Sequence, residues 1–276
     1  MADSGGPLLT GLDRETAVRY ACEMKPHRQE GSNSEWPPGH AIAANRAGLL
    51  ENYFYFFMAL LIAFVVAYGF SQTVEKKLIH PALPRPFVLY VHATVFSGWV
   101  LFFILQSALV RTRKVQWHRL IGWYGVGLGV AMLVLGVATA ITMARFNRLN
   151  LHSRYPEANL LVSFFDIAAF TIVFALAIYW RKKPEFHRRL QLMACCALTS
   201  AAFGRFPPPL VAPGTLYAGV DILILLAVAR DLIVYRRIHP VYLYGLPAFV
   251  MLQTLVLYTA RHHSAWWLKT AHRIMG

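Results

Sequence analysis

Histidines open three apolar segments of the sequence in basic surroundings, an arrangement that can hold a cofactor or an anion. They are His118 in WHRLIGWYG, His187 in FHRRLQL and His239 in IHPVYLYG. Neutral imidazole ligates metals and haem iron, whereas Arg119, Arg188 and Arg189 beside two of them favour an anion or a lipid phosphate. The pattern therefore predicts a cofactor-binding layer here, and anchoring of the same side chains among lipid headgroups is the alternative.

A second group of ionisable side chains lies inside apolar segments, where charge is unfavourable. His92, Asp166 and Asp221 lie roughly 9 to 12 Å from one end of their segments, and Arg205 ends another segment on the same side. Each such group costs about 2.5 to 3.5 kcal/mol in hydrocarbon, so we expect the four to face inward and to pair. They are candidate catalytic residues of a proton relay or ligands of a cation, and a structural salt-bridge cluster is the alternative.

The elements that must position these groups are apolar segments of membrane-spanning length. Apolar residues make up 57% of the 276 residues and charged residues 14%, which does not suit a surface that faces water. Seven segments approach the roughly 20 residues that a span requires. They are 52–70, 86–110, 119–143, 158–180, 188–204, 214–235 and 241–260. The sequence predicts an all-α integral membrane bundle of about seven transmembrane helices over residues 49–276, preceded by a polar tail, residues 1–48.

Basic residues predict the orientation of this bundle. The net charge is +14, but the lysines and arginines gather in short segments between the apolar ones, which is typical of juxtamembrane charge and not of nucleic-acid binding. One set of alternating segments holds 17 of them and the other set holds 10. We therefore expect a cytoplasmic N-terminus and an external C-terminus, in a bacterial inner membrane, with the lipid bilayer as the main partner.

Two helix faces look specialised for packing or for a flat ring. The second segment carries aromatic and polar groups at helical spacing, and the third carries Gly125 and Gly129 four residues apart. Such glycines let a neighbouring helix, or a porphyrin, approach the backbone. Signatures of nucleotide-binding, zinc-protease and nucleophile-elbow enzymes are missing from the sequence, so those classes are not expected.

Residues 86–245 resemble a family of uncharacterised polytopic bacterial integral membrane proteins. The resemblance is carried by YVHATVFSGWVLFFILQSALV, VQWHRLIGWYGVGLGVAMLVLGVATAI, the stretch from FFDIAAF to GRFPP, and VDILILLAVARDLIVYRRIHPVYLYG. Its matches are His92, Trp99, His118, Arg119, Gly122, Asp166, His187, Arg188, Arg205, Asp221, Asp231 and His239. The family implies the architecture and this residue set, and it implies no reaction.

The sequence is also distantly similar to transmembrane di-haem b-type cytochromes, through His92 near the head of one segment and HRLIGW at the start of the next. Two haems need four axial histidines at two depths, and the segments supply too few at the level of His92. The similarity therefore implies a single haem b with His118 and His187 as metal ligands. We expect a haem- or quinone-linked redox protein, and the alternatives are a proton-coupled transporter or a non-catalytic accessory or assembly subunit of a membrane complex. The expected partners besides the bilayer are a quinone, anionic lipid or other subunits of such a complex.

Overall fold

A computed structural model describes residues 38–152, 155–212 and 214–276, with side chains from residue 52 onward. Every regular element in these ranges is helical, which confirms the all-α prediction for the described part of the chain. Residues 1–37 of the predicted polar tail lie outside the described residues. From Pro38 the backbone is already helical, fourteen residues before the apolar segment that was expected to begin near residue 52.

The helices follow one another with short connections. Their bounds are α1 Pro38–Val74, continued by a π-helical turn Glu75–Ile79, α2 Phe87–Arg111, α3 Val115–Asn150, α4 Pro156–Tyr179, α5 Pro184–Ala197, α6 Ser200–Phe203, α7 Leu216–Tyr235, α8 Pro240–Arg261 and α9 Ala265–Met275.

Local sequence explains most of these boundaries. Proline is the first residue of α4, α5 and α8, a position where its fixed φ suits the helix and its missing N–H is not needed. The side chain of His239 caps α8 by accepting a hydrogen bond from the Val241 backbone N–H at 3.2 Å. Arg236 ends α7 in the left-handed conformation, with φ 55°.

Five of the seven predicted segments form helices that are long and apolar enough to cross a membrane. These candidate spans are Asn52–Ile79, Phe87–Arg111, Val115–Asn150, Pro156–Tyr179 and Pro240–Arg261. The fifth predicted segment differs because α5 has only 14 residues, and the sixth differs because Asp221, Arg230 and Asp231 interrupt the apolar face of α7. Many large apolar side chains on the spans are exposed, among them Phe64 at 65% and Leu101 at 67%. The protein is therefore a multi-pass, membrane-embedded helical bundle.

Helix α4 lies at the centre of the bundle, against α3, α5, α8 and α9. The indole of Trp99 on α2 meets the rings of Phe170 and Phe174 on α4 edge-on, each at 5.2 Å between ring centres. The glycine face of α3 receives aromatic rings: a Cβ at Gly125 would collide with Phe102, and one at Gly129 with Phe174. These glycines serve close helix packing.

The fifth predicted segment is divided into α5 and α6 at Leu198–Thr199. The hydroxyl and the backbone N–H of Thr199 both donate to the carbonyl of Cys196 in the last turn of α5, at 2.6 and 3.0 Å. Helix α1 passes so close to α6 that a Cβ at Gly69 would lie 2.5 Å from the carbonyl oxygen of Ala202. The break is thus buried within protein, as backbone interruptions inside a membrane must be.

Candidate functional site

Two of the three predicted histidines lie side by side. The ring centres of His118 on α3 and His187 on α5 are 6.2 Å apart, with the ring planes at 72° to each other. Both side chains are half-buried. Residues 69 positions apart in the sequence therefore meet at the end of the bundle where α3 and α5 begin.

The histidine pair is oriented from one side by the backbone. Nδ1 of His187 donates a hydrogen bond to the carbonyl oxygen of Ala177 on α4 at 2.8 Å, so its Nε2 is unprotonated when the ring is neutral. Nδ1 of His118 is buried and has no hydrogen-bond partner among the described residues. Metal-ligating histidines usually donate their other ring N–H to a carbonyl, a carboxylate or a water. His187 has such a hydrogen bond.

The third histidine of the predicted layer has a different role. His239 uses Nδ1 to cap α8, and its ring packs edge-on against Phe186 at 4.7 Å. Burial, and then the positive charge of Arg189, lower the pKa of His239 below its ordinary value. The predicted trio is thus a facing pair plus a neutral helix cap. Arg119, next to His118, is exposed.

A buried basic cluster adjoins the histidine pair, and we define it as Glu185, Arg188, Arg189, Arg230, Asp231 and Tyr235. Its centre is a two-point ion pair: Arg189 donates through Nε and Nη2 to the two carboxylate oxygens of Asp231 at 2.7 and 2.8 Å. The third group of the same guanidinium donates to Glu185 Oε2 at 2.5 Å. The side chains of Arg189 and Asp231 are 1% and 0% exposed. This pair locks α5 to α7.

Two further guanidiniums of the basic cluster converge on one hydroxyl. Arg188 donates to the Tyr235 oxygen at 2.7 Å and Arg230 donates to it at 3.5 Å. Arg230 also donates to Asp231 at 3.0 Å, and Arg188 to Glu185 at 2.5 Å. The ring of Tyr55 on α1 lies near both cations, with its centre 5.3 Å from the guanidinium carbon of Arg188 and 5.4 Å from that of Arg230.

Asp166 belongs to a separate buried site at the helix break. The carboxylate of Asp166 accepts hydrogen bonds from Ser200 Oγ at 2.5 Å and from the Tyr217 hydroxyl at 2.9 Å. Ser200 is the first residue of α6, so this carboxylate joins α4, the interrupted segment and α7. All three side chains are buried. We call Asp166, Ser200 and Tyr217 the break site.

The other residues predicted to pair with Asp166 have partners of their own. The ring of His92 stacks on Phe96 with centres 4.0 Å apart. Asp221 faces Gln253 on α8. Arg205 donates to the carbonyl of Ala201 and covers the ring of Phe70, 4.3 Å from its centre.

Within the described residues, no hydrogen bond or ion pair joins any two of His92, Asp166, Asp221 and Arg205. In the same part of the chain, no group of three or more histidine, cysteine, aspartate or glutamate side chains is placed to hold a metal ion. The structure therefore leaves Arg205 within electrostatic range of His92 and gives Asp166 and Asp221 separate partners.

Sequence reasoning did not predict the pairing inside the basic cluster. Arg230 counted as a charge beyond the end of a span, yet its side chain is 2% exposed. The signal that was present is the Arg230–Asp231 dipeptide within apolar residues, because charges at such positions usually find a partner inside the bundle.

No family model, no curated protein and no solved structure matches this chain.

Proposed function

We propose that this membrane protein transfers electrons through a single haem b held by His118 and His187. The observation that carries the proposal is the 6.2 Å distance between the two imidazole centres. Two imidazoles that ligate one iron have ring centres roughly 6 Å apart, since each metal–nitrogen bond measures about 2.0 Å and each nitrogen lies about 1 Å from the centre of its ring. The hydrogen bond from His187 Nδ1 to Ala177 leaves Nε2 available as a ligand.

The size of the ligand set favours haem over a bare ion. Two histidines are too few for a structural zinc site, which takes four protein ligands. A porphyrin supplies four nitrogens itself, so two axial histidines complete the iron coordination. Haem b would supply reversible one-electron transfer between ferric and ferrous iron.

The surroundings of the pair fit such a ligand at two further points. No described heavy atom lies within 4 Å of the position where Gly122, one helical turn beyond His118, would carry a Cβ. Arg119 is exposed beside His118 and is available for a propionate. Arg188 faces Glu185 and Tyr235 instead, so we assign the propionate to Arg119. The glycine face at Gly125 and Gly129 is filled by phenylalanine rings, so we do not place the porphyrin there.

Contacts at the two ends of α8 support seven membrane crossings. At the start of α8, His239 contacts Phe186 of α5, and at its end Arg261 Nη2 donates to the carbonyl of Gly214 at 3.4 Å. Helix α8 is a candidate span, and its two ends lie beside residues 186 and 214. The chain between these two residues therefore covers the thickness that α8 spans, and α7 crosses it again in the opposite direction. The bias of basic residues favours the histidine pair on the cytoplasmic side of a bacterial inner membrane and the C-terminus outside, and we propose this orientation.

The test is the absorption spectrum of the protein purified from cells that make haem. We expect a reduced-minus-oxidised band that is lost in His118→Ala and in His187→Ala. His80→Ala is the matched control, because this histidine is exposed and bonded only to Glu75 among the described residues, and it should leave the band unchanged. Wild-type protein that folds but stays colourless, without iron, would refute the proposal.

A second candidate, a proton-coupled transporter, is favoured by the break site. Transporters often place a substrate or ion site where a membrane helix is interrupted, and Asp166 is bonded to the first residue after such an interruption. Under this reading Asp166→Asn would abolish proton-coupled flux into proteoliposomes, and His118→Ala would not. The same flux in wild type and Asp166→Asn would exclude it.

A further inference from the structure

We propose that the basic cluster is a binding site for a phosphate-type anion, held between Arg188 and Arg230 beneath the ring of Tyr55. The site is independent of the proposed haem, because none of these residues is an axial ligand. Its ligand class is a tetrahedral oxyanion, either free inorganic phosphate or the phosphate of an anionic lipid.

The described charges of the basic cluster do not balance. The basic cluster holds three guanidiniums, from Arg188, Arg189 and Arg230, and two carboxylates, from Glu185 and Asp231. Among the side chains that the structure describes here, one positive charge therefore remains without a counter-charge in a largely buried place. Charges inside a helical bundle normally pair, because their removal from water is costly. One bound anion would balance the cluster.

Several hydrogen-bond donors at the basic cluster are unused among the described residues. Arg189 is saturated by Asp231 and Glu185. By contrast, Nε of Arg188, Nε of Arg230 and the hydroxyl of Tyr55 are buried and have no partner among the residues that the structure describes. Arg230 is 98% buried, so water does not readily replace a missing partner at its Nε.

The arrangement of the guanidiniums of Arg188 and Arg230 suits a tetrahedral anion. Arg188 and Arg230 both donate to the Tyr235 hydroxyl, so their guanidiniums approach each other although both are positive. Two planar guanidiniums around one point, joined by a tyrosine hydroxyl, match the several oxygens of a phosphate. Tyr55 lies within electrostatic range of Arg188, Arg189 and Arg230.

The site is also accessible from one end of the bundle. The side chains of Arg188 and Glu185 are 28% and 51% exposed, whereas the Arg189–Asp231 pair behind them is sealed. Such an opening lies at the depth of lipid phosphates when α5 begins at the membrane surface. A free anion and a headgroup can therefore both enter.

The experiment measures the thermal unfolding midpoint of the purified full-length protein. One arm adds inorganic phosphate in detergent, with chloride at matched ionic strength as the reference. The other arm compares nanodiscs of neutral phosphatidylcholine with nanodiscs that also contain phosphatidylglycerol, and native mass spectrometry detects retained lipid. The variants are Arg188→Gln and Tyr55→Phe, and the latter keeps the aromatic packing. The matched control is Arg237→Gln, which removes an exposed charge just beyond α7.

We expect phosphate or phosphatidylglycerol to raise the unfolding midpoint of wild type and of Arg237→Gln. In Arg188→Gln and Tyr55→Phe the rise should be lost, or the apparent affinity should fall about tenfold, as loss of a charge-assisted hydrogen bond would cause. A rise with inorganic phosphate identifies a free anion. A rise with phosphatidylglycerol alone, together with retained lipid, identifies a headgroup. The proposal is overturned if neither probe raises the midpoint, or if Arg188→Gln and Tyr55→Phe respond as wild type does.

Discussion

Arg189 and Asp231 meet in a two-point ion pair, at 2.7 and 2.8 Å, with both side chains almost completely buried. Arg230 shares the same carboxylate at 3.0 Å. One carboxylate is therefore shared by two guanidiniums, and the loss of the acid has a different consequence from the loss of either base.

This asymmetry gives the first prediction. Asp231→Asn should lower the free energy of unfolding by about 3 to 5 kcal/mol, because it leaves buried guanidiniums without their counter-charge. Arg189→Gln should cost clearly less, since Asp231 keeps Arg230 as a partner. Chemical unfolding in detergent measures both. Equal losses, or a larger loss in Arg189→Gln, would contradict the shared-carboxylate arrangement.

The break site should behave as one coupled unit. Tyr217→Phe removes a donor to the buried carboxylate of Asp166, and we expect it to cost about 1 to 3 kcal/mol of unfolding free energy. In an Asp166→Ala background the same change should cost less than about 0.5 kcal/mol, because the acceptor is gone. Tyr124→Phe, at a 68% exposed tyrosine, is the control and should be neutral. Additive losses in the double variant would show that the hydroxyl acts elsewhere.

The close approach of α1 to α6 predicts a strict need for glycine at residue 69. A Cβ there would lie 2.5 Å from the backbone oxygen of Ala202, which cannot rotate away. Gly69→Ala should therefore destabilise the bundle by about 1 to 3 kcal/mol. Gly98→Ala is the matched control on α2, where no described heavy atom lies within 4 Å, and it should be neutral or slightly stabilising. The unfolding midpoints of the two variants measure this difference, and a Gly69→Ala variant as stable as Gly98→Ala would contradict the prediction.

The helix cap at His239 predicts a dependence of stability on pH. Its pKa is lowered in the folded protein by burial and then by Arg189. As pH falls below the ordinary histidine value of about 6.5, the unfolded chain takes up a proton before the folded one does, so stability decreases. His239→Asn can still accept from the Val241 N–H without titrating. Its unfolding midpoint should fall less than that of wild type between about pH 7 and pH 5, and parallel curves would argue against this role.

The helices themselves were largely predictable. Proline at residues 156, 184 and 240 sets the starts of α4, α5 and α8, and apolar composition identifies the spans. The break between α5 and α6 was not predictable, because residues 197–200 include neither proline nor glycine. Ser200, directly after the interruption, donates a hydrogen bond to Asp166, and this tertiary contact is not encoded by local sequence.

Sequence gives the depth of a side chain in a helix but not the neighbour that it faces. Equal depth indicated that His118 and His187 could meet, and their ring centres lie 6.2 Å apart. The same reasoning grouped Asp166 with Asp221, which face different partners, Tyr217 and Gln253. Rotation about each helix axis and the packing order of the helices decide such pairings, and both arise only in the assembled bundle.

The interruption at Leu198–Thr199 also bears on how the bundle is assembled in the membrane. The 14 residues of α5 are too few to cross hydrocarbon, and one end of α5 carries Arg188 and Arg189. Alone in lipid, α5 and α6 would expose unneutralised guanidiniums and an unpaired serine hydroxyl. Their polar groups find their partners only when α4 supplies Asp166 and α7 supplies Asp231, so the place of this segment in the membrane depends on two neighbouring helices.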